Sequence, residues 1–127
     1  MRDIKLLLEA WGGWAATDHS GVSYSHIAAG FRGLITSPPA TRPICSDPDG
    51  MILDACISRL KKYHPDEHRL LVAHYHYRVS LRALARRLHC ADGTLRKQLQ
   101  TAEGFIEGML CAMDSRLEFE KRCELSD

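Results

Sequence analysis

The sequence contains no C-x-x-C pair, and its five cysteines (Cys45, Cys56, Cys90, Cys111 and Cys123) are odd in number and widely spaced. That pattern excludes a zinc ribbon and a disulfide framework and fits reduced thiols in a cytoplasmic protein. No stretch approaches the roughly 18 apolar residues that a membrane span requires, so no membrane association is expected. The N-terminus, MRDIKLLLEA, is interrupted by Asp3 and Glu9 and does not read as a signal peptide. No segment shows a convincing strand pattern, and none is repeated. The net charge is only +1, so bulk composition does not by itself point to nucleic acid. The 127 residues suit one domain spanning 1–127, able to bury roughly two-thirds of its unfolded surface without a metal or disulfide staple.

What is present is helical spacing. Ile4, Leu7, Leu8, Trp11 and Ala15 recur with helical period behind Asp3, a good cap, which predicts a helix through about Ala16. Gly12 and Gly13 interrupt it, as where another element approaches closely. Ser23 is placed to cap a short helix, YSHIAAG. Residues 36–49, TSPPATRPICSDPD, hold four of the five prolines and are expected to form an extended, mobile loop. Asp47 and Pro48 read as a cap and first helical residue. The helix behind them should bury Ile52, Ala55, Cys56 and Leu60. His64-Pro65 breaks it, and Pro65 opens another through Tyr77. Ser80 caps a helix from Leu81 to Leu88. A turn at His89-Cys90-Ala91 leads into a long last helix, reaching toward Arg122. The chain therefore reads as all-α and compact, with a helix-turn-helix at 80–106, a Pro-rich loop at 36–49 and an acidic tail at 111–127.

Charge is distributed unevenly along this plan. From Arg78 to Gln100 there are six basic residues against one acid, Asp92; from Thr101 to Asp127 there are seven acids against three bases. In the first helix of the pair, Leu81, Leu84, Ala85 and Leu88 make one buried face and leave Arg82, Arg86 and Arg87 outside. In the second, Leu95, Leu99, Ala102 and Ile106 make the buried face and leave Thr94, Arg96, Lys97 and Gln100 outside. Two such helices joined by a short turn form the unit whose second helix sets its N-terminal residues against base edges in the major groove. Arg and Lys there donate to guanine, and Gln pairs with adenine, while the arginines of the first helix meet phosphates. The DNA-binding set read this way is Ser80, Arg82, Arg86, Arg87, Asp92, Gly93, Thr94, Arg96, Lys97 and Gln100. Ala91, just before the second helix, is a poor cap; Asp92 could cap one residue later, or a DNA phosphate could serve. The plainer alternative is a helical hairpin with a solvated basic face.

Other constellations carry less. HPDEH, residues 64–68, matches the H-x-x-E-H spacing of one class of zinc peptidases, which makes a small metal-dependent hydrolase the distant alternative. Pro65 places His64 before the helix, so the two rings need not share a face, and no further ligand motif is present. Cys90 beside His89 lacks a third orienting group for nucleophilic catalysis. Trp11 and Trp14 could stack a base, but core packing is the default. GFRGL is not followed by G-K-[ST] and is no phosphate loop. No enzyme activity, catalytic residue, metal or cofactor is expected.

RDIKLLLEAWGGWAA, YSHIAAGFRGLI, RPICSDPDGMILDACISRLKK, ALARRLHCADGTLRKQLQ and TAEGFIEGML, in that order, resemble the late-gene antitermination protein Q family of lambdoid phages, the type without a zinc motif. The resemblance runs from about Arg2 to Leu110; the helix-turn-helix alone also resembles sigma-factor region four. It implies a phage transcription factor that binds a double-stranded DNA element near the late promoter. Such a factor loads onto host RNA polymerase, held with its sigma factor at a promoter-proximal pause. It then accompanies the enzyme past terminators, acting on nascent RNA in the exit channel. The resemblance allows two copies on the DNA. A promoter-bound activator or sigma-like regulator without antitermination activity is the alternative. The sequence departs from the family at Ala91 and in CAMDSRLEFEKRCELSD, beyond Leu110, where no family motif is seen.

Overall fold

The computed structural model describes residues 2–17, 21, 23–35, 42–113 and 117–120. Among them there are only helices and connections: α1 (Ile4–Ala15), α2 (Ser25–Gly30), α3 (Asp47–Tyr63), α4 (Pro65–Leu71), a π-helical segment (Val72–His76), α5 (Leu81–Leu88) and α6 (Asp92–Ala112). None of the described helices is long and apolar enough to cross a membrane.

Asp3 caps α1 as expected, its carboxylate accepting from the Leu6 N–H at 3.2 Å. The expected face is buried and wide, from Leu7 and Leu8 to Trp11, Trp14 and Ala15. The two glycines are contact points. Any Cβ at Gly12 would overlap the carbonyl oxygen of Tyr75, and one at Gly13 the carbonyl oxygen of Pro43. Both tryptophans lie in the core and use their indole N–H internally, Trp14 on Asp47 at 2.9 Å and Trp11 on Asp54 at 3.3 Å.

Several boundaries differ from the sequence reading. Ser23 does not cap α2; the helix follows Tyr24 without a side-chain cap, and the Ser23 hydroxyl faces that of Ser25 instead. The cap of α3 is Ser46, not Asp47, with its hydroxyl accepting from the Asp49 N–H at 3.4 Å. Residues 47–49 therefore belong to α3, residues 42–46 are extended, and the rest of the proline-rich stretch lies outside the described residues. The face of α3 that reaches the core is Leu53, Cys56, Ile57 and Leu60; Ala55 is exposed and Ile52 only half-buried. The face is rotated because α3 packs against α1 on one side and against α4 and α6 on the other.

Pro65 starts α4, as read, but the helix changes pitch before Tyr77. The Tyr77 N–H donates to the Val72 carbonyl at 3.2 Å, an i to i+5 bond that defines a π turn. Leu70, Leu71, Val72, Ala73, Tyr75 and His76 are all buried, and His74 is half-buried, so most of this stretch is enclosed.

The last helix ends at Ala112 rather than continuing toward Arg122, which lies outside the described residues. A separate helical turn at 118–120 folds back onto α3. The Asp49 carboxylate, itself buried, accepts from the N–H groups of Glu118 at 3.0 Å and Phe119 at 2.8 Å, while Leu117 enters the core. Glu120 pairs with Arg2 at 3.0 Å. Part of the acidic tail is thus a structural element joined to the N-terminal end of the chain.

Candidate nucleic-acid interface

Ser80 caps α5 as the sequence indicates, its hydroxyl accepting from the Ala83 N–H at 3.2 Å. Leu84 and Ala85 are the buried residues of α5. Leu81 is half-buried, and Leu88, expected inside, is 43% exposed. The inner face is shorter than the spacing suggests because the chain leaves the helix at once. His89 takes a left-handed conformation (φ 55°), and the Cys90 N–H closes back on the Ala85 carbonyl at 3.0 Å. Residues 89–91 form the whole turn between α5 and α6, two helices that pack against each other.

Ala91 occupies the cap position of α6 and supplies no side-chain bond. Asp92 is the first helical residue and does not cap; its carboxylate stands in the first turn, where the helix dipole favours a negative charge. Leu95, Leu99, Ala102 and Ile106 are all buried, as read. Gly93, Thr94, Arg96, Lys97 and Gln100 are exposed, and a Cβ at Gly93 would meet nothing within 4 Å. Glu103, one turn further on, is buried and accepts from the Tyr75 hydroxyl at 2.6 Å, which fixes α6 to the π segment. That bond and burial push the Tyr75 phenol far above its ordinary range, burial contributing most.

The three arginines of α5 are not equivalent. Arg82 and Arg86 are exposed and line a shallow, open cleft with His89, Ala91 and Asp92. Arg87 donates to the carbonyls of Arg32 at 2.7 Å and Gly30 at 3.3 Å, neutralising the end of α2 and holding it against α5. Among the described residues no carboxylate pairs with Arg82, Arg86, Arg96 or Lys97. Their charges are therefore available to an outside partner.

On the α1 side, Arg96 and Gln100 border a small pocket of about 200 Å³ that also includes Lys5 and Glu9. An adjoining pocket of about 210 Å³ includes Arg42, Arg78 and Ser80. Arg42 donates to the carbonyls of Tyr75 at 2.7 Å and His76 at 3.3 Å, ending the π segment. Lys5 and Arg42 could not be placed here from sequence, because they arrive from distant segments.

Four histidines, His64, His68, His74 and His76, make internal contacts. The His64 ring lies edge-on to Phe105 at 5.8 Å, and His68 is buried near Tyr24. Among the described residues no three His, Cys, Asp or Glu side chains gather where they could hold a metal ion. His74 faces the Val79 carbonyl at 2.9 Å, and His76 stacks on Tyr77 at 4.1 Å.

A model of the family described as phage antitermination protein Q matches residues 1–118. The chain is 52% identical over 120 residues to prophage antitermination protein Q homolog QuuD of Escherichia coli strain K12, with 94% of each chain covered. It is 45% identical over 124 residues to antitermination protein Q of Escherichia phage 933W, covering 98% of this chain and 86% of that relative. Among solved structures, transcription antitermination factor Q21, as a selenomethionine derivative, matches with a TM-score of 0.65 at 19% identity, over 97% of this chain and 91% of the other. At that identity the likeness is one of fold. Taken with the all-helical architecture, these matches establish that the chain belongs to the phage antitermination protein Q family, a family of transcription antitermination proteins.

Proposed function

We propose that α5 and α6 act as a helix-turn-helix that binds a duplex DNA element near a late promoter, and that this binding loads the protein onto host RNA polymerase for antitermination. The observation that carries this reading is the division of α6. Leu95, Leu99, Ala102 and Ile106 are sealed in the core, while Thr94, Arg96, Lys97 and Gln100 are exposed within the first turns, with no acid among the described residues pairing either cation. A helix so divided offers donors for guanine and adenine edges from a fixed base. Arg82 and Arg86, exposed on α5, suit phosphates on the same duplex. Arg87 is withdrawn from this set in large part, since its guanidinium serves α2.

The later steps are inferred from family membership. Once loaded at a sigma-dependent pause, the protein travels with the polymerase and acts where nascent RNA leaves, so that terminator hairpins fail to stop transcription. Polymerase, its sigma factor, the DNA element and the emerging RNA are the partners, in the bacterial host cytoplasm.

The test compares affinity for the cognate element with affinity for random duplex at one fixed salt concentration. Arg96→Ala and Lys97→Ala should each lose roughly tenfold to a hundredfold in the ratio, the value of about 1–3 kcal/mol for a well-placed base contact. Terminator read-through on templates bearing the element should fall with it. An unchanged ratio for both variants would remove α6 as the reader. Sequence-specific binding without read-through would leave a promoter-bound regulator.

A further inference from the structure

The two pockets on the α1 side share Glu9, His74 and Tyr75, so they form one continuous groove. It runs from the N-terminus of α5 to the outer side of α6. Four cations border it: Arg42 and Arg78 at the α5 end, Lys5 and Arg96 at the α6 end. Two carboxylates face them. Glu103 is already engaged by the Tyr75 hydroxyl, which leaves Glu9.

The α5 end is the more unusual. Arg42 cannot turn away, because its two terminal nitrogens hold the Tyr75 and His76 carbonyls; its Nε is buried with no acceptor. Arg78 stands close enough for its charge, after burial, to depress the basicity of Arg42, with Glu9 opposing. Arg78 itself has φ 58°, a left-handed conformation that side chains rarely adopt. Its neighbours are tied down on both sides, by the Tyr77 N–H on the Val72 carbonyl at 3.2 Å before it and by the Val79 N–H on the Ala73 carbonyl at 3.0 Å after it. The pocket beside them, at about 210 Å³, has room for a phosphate group with several waters at about 30 Å³ each. The first N–H groups of α5, at Leu81 and Arg82, have no acceptor within the helix. Two guanidiniums lining one open pocket, one of them fixed, beside a helix N-terminus together call for an anion.

We propose that Arg78, with Arg42 behind it and the N-terminus of α5 beside it, seats a backbone phosphate of the duplex whose bases are met from α6. The inference rests on the helix-turn-helix reading. It commits to a DNA phosphodiester because the groove continues to Arg96 and Gln100, and because the first helix of such a pair crosses the sugar–phosphate backbone.

Arg78→Gly is the informative variant, because glycine adopts the left-handed region freely and so cannot strain the fold. Its melting temperature should equal or exceed that of the unchanged protein. Binding should weaken for cognate and random duplex alike, and the log–log salt slope should be shallower by about 0.9, the value for one phosphate. The unchanged protein should therefore lose roughly threefold more affinity than the variant between 50 and 200 mM salt. Arg78→Asn, which also tolerates this conformation, should behave the same way. An unaltered slope in both variants, while Arg96→Ala still loses specificity, would overturn the phosphate seat and leave the reading helix intact. Absence of salt-dependent DNA binding by the unchanged protein would overturn both. A third arm uses inorganic phosphate alone. If it raises the melting temperature of the unchanged protein but not of Arg78→Gly, and the DNA slope is unaltered, the pocket serves free anions and the DNA assignment falls.

Discussion

Replacing Gly12 with alanine sets two effects of known size against each other. In an open helix the change stabilises by about 1 kcal/mol, since alanine loses less backbone freedom on folding. Here the added methyl would overlap the Tyr75 carbonyl oxygen and lie 2.7 Å from an Arg42 guanidinium nitrogen. The first neighbour is backbone and has no rotamer to turn to, so α1 and the π segment must move apart by on the order of 1 Å to restore ordinary contact. Overpacking of this kind costs about 1–3 kcal/mol, and a backbone obstacle puts the site near the upper end. The net expectation is a loss of about 2 kcal/mol, or roughly 8 °C in melting temperature for a chain this long. The assay is thermal or urea unfolding, with Gly104→Ala and Gly108→Ala as controls. Both of those sites lie on α6 with nothing within 4 Å of a new Cβ, and each should gain up to about 1 kcal/mol. A Gly12→Ala protein that melts at or above the original temperature would refute the close approach of α1 to Tyr75.

Two further perturbations probe the buried polar groups. Asp49→Ala removes the acceptor for the Glu118 and Phe119 N–H groups, so hydrogen exchange at those amides should accelerate and stability fall by about 1–3 kcal/mol; unchanged protection would mean the tail does not depend on Asp49. Burial, then the charges of Lys61, His26 and Arg69, lowers the pKa of His68 from 6.5 to about 4, and His76 moves the same way, chiefly by burial. Between about pH 6.5 and 4 the unfolded chain binds protons that the folded chain refuses, so stability is full above that window and declines as the pH falls through it. The melting temperature should drop between pH 7 and 5, and His68→Gln should flatten the drop; equal pH dependence in both proteins would contradict a buried, neutral His68.

The parts of the fold legible in the sequence are those governed by neighbours within a turn or two. Asp3 and Ser80 cap their helices because a cap needs only its own next three residues. The inner face of α6 was legible because four apolar residues at helical spacing have one way to face a core. Where two signals compete locally, the sequence misleads by a residue. Ser46 and Asp47 are both good caps, and the indole of Trp14, from another helix, takes the Asp47 carboxylate. Tertiary partners were invisible. Nothing near Arg87 announces that α2 ends beside it, nothing in CAMDSRLEFEKRCELSD shows that Leu117 is core, and nothing near Arg42 or Lys5 places them by α5 and α6. The candidate site was therefore legible as a helix pair and illegible as a surface.

The π turn at Val72–His76 has a consequence for chain length. A turn closed over five residues holds one residue more than a regular helix needs for nearly the same advance. Each residue of a regular helix rotates the chain by about 100°. The extra residue therefore acts as an angular offset. On one side of it lies α4, whose Leu70 and Leu71 face the body of the protein. On the other lie Tyr75 on Glu103, His76 against Trp11, and the Ser80 cap. Deleting one residue from 72–74 would let the helix run true and turn everything after it by about that angle, taking Tyr75 off Glu103 and α5 out of phase with α6. A point change in this segment alters one contact. A change of one residue in its length alters the direction in which the whole helix pair points.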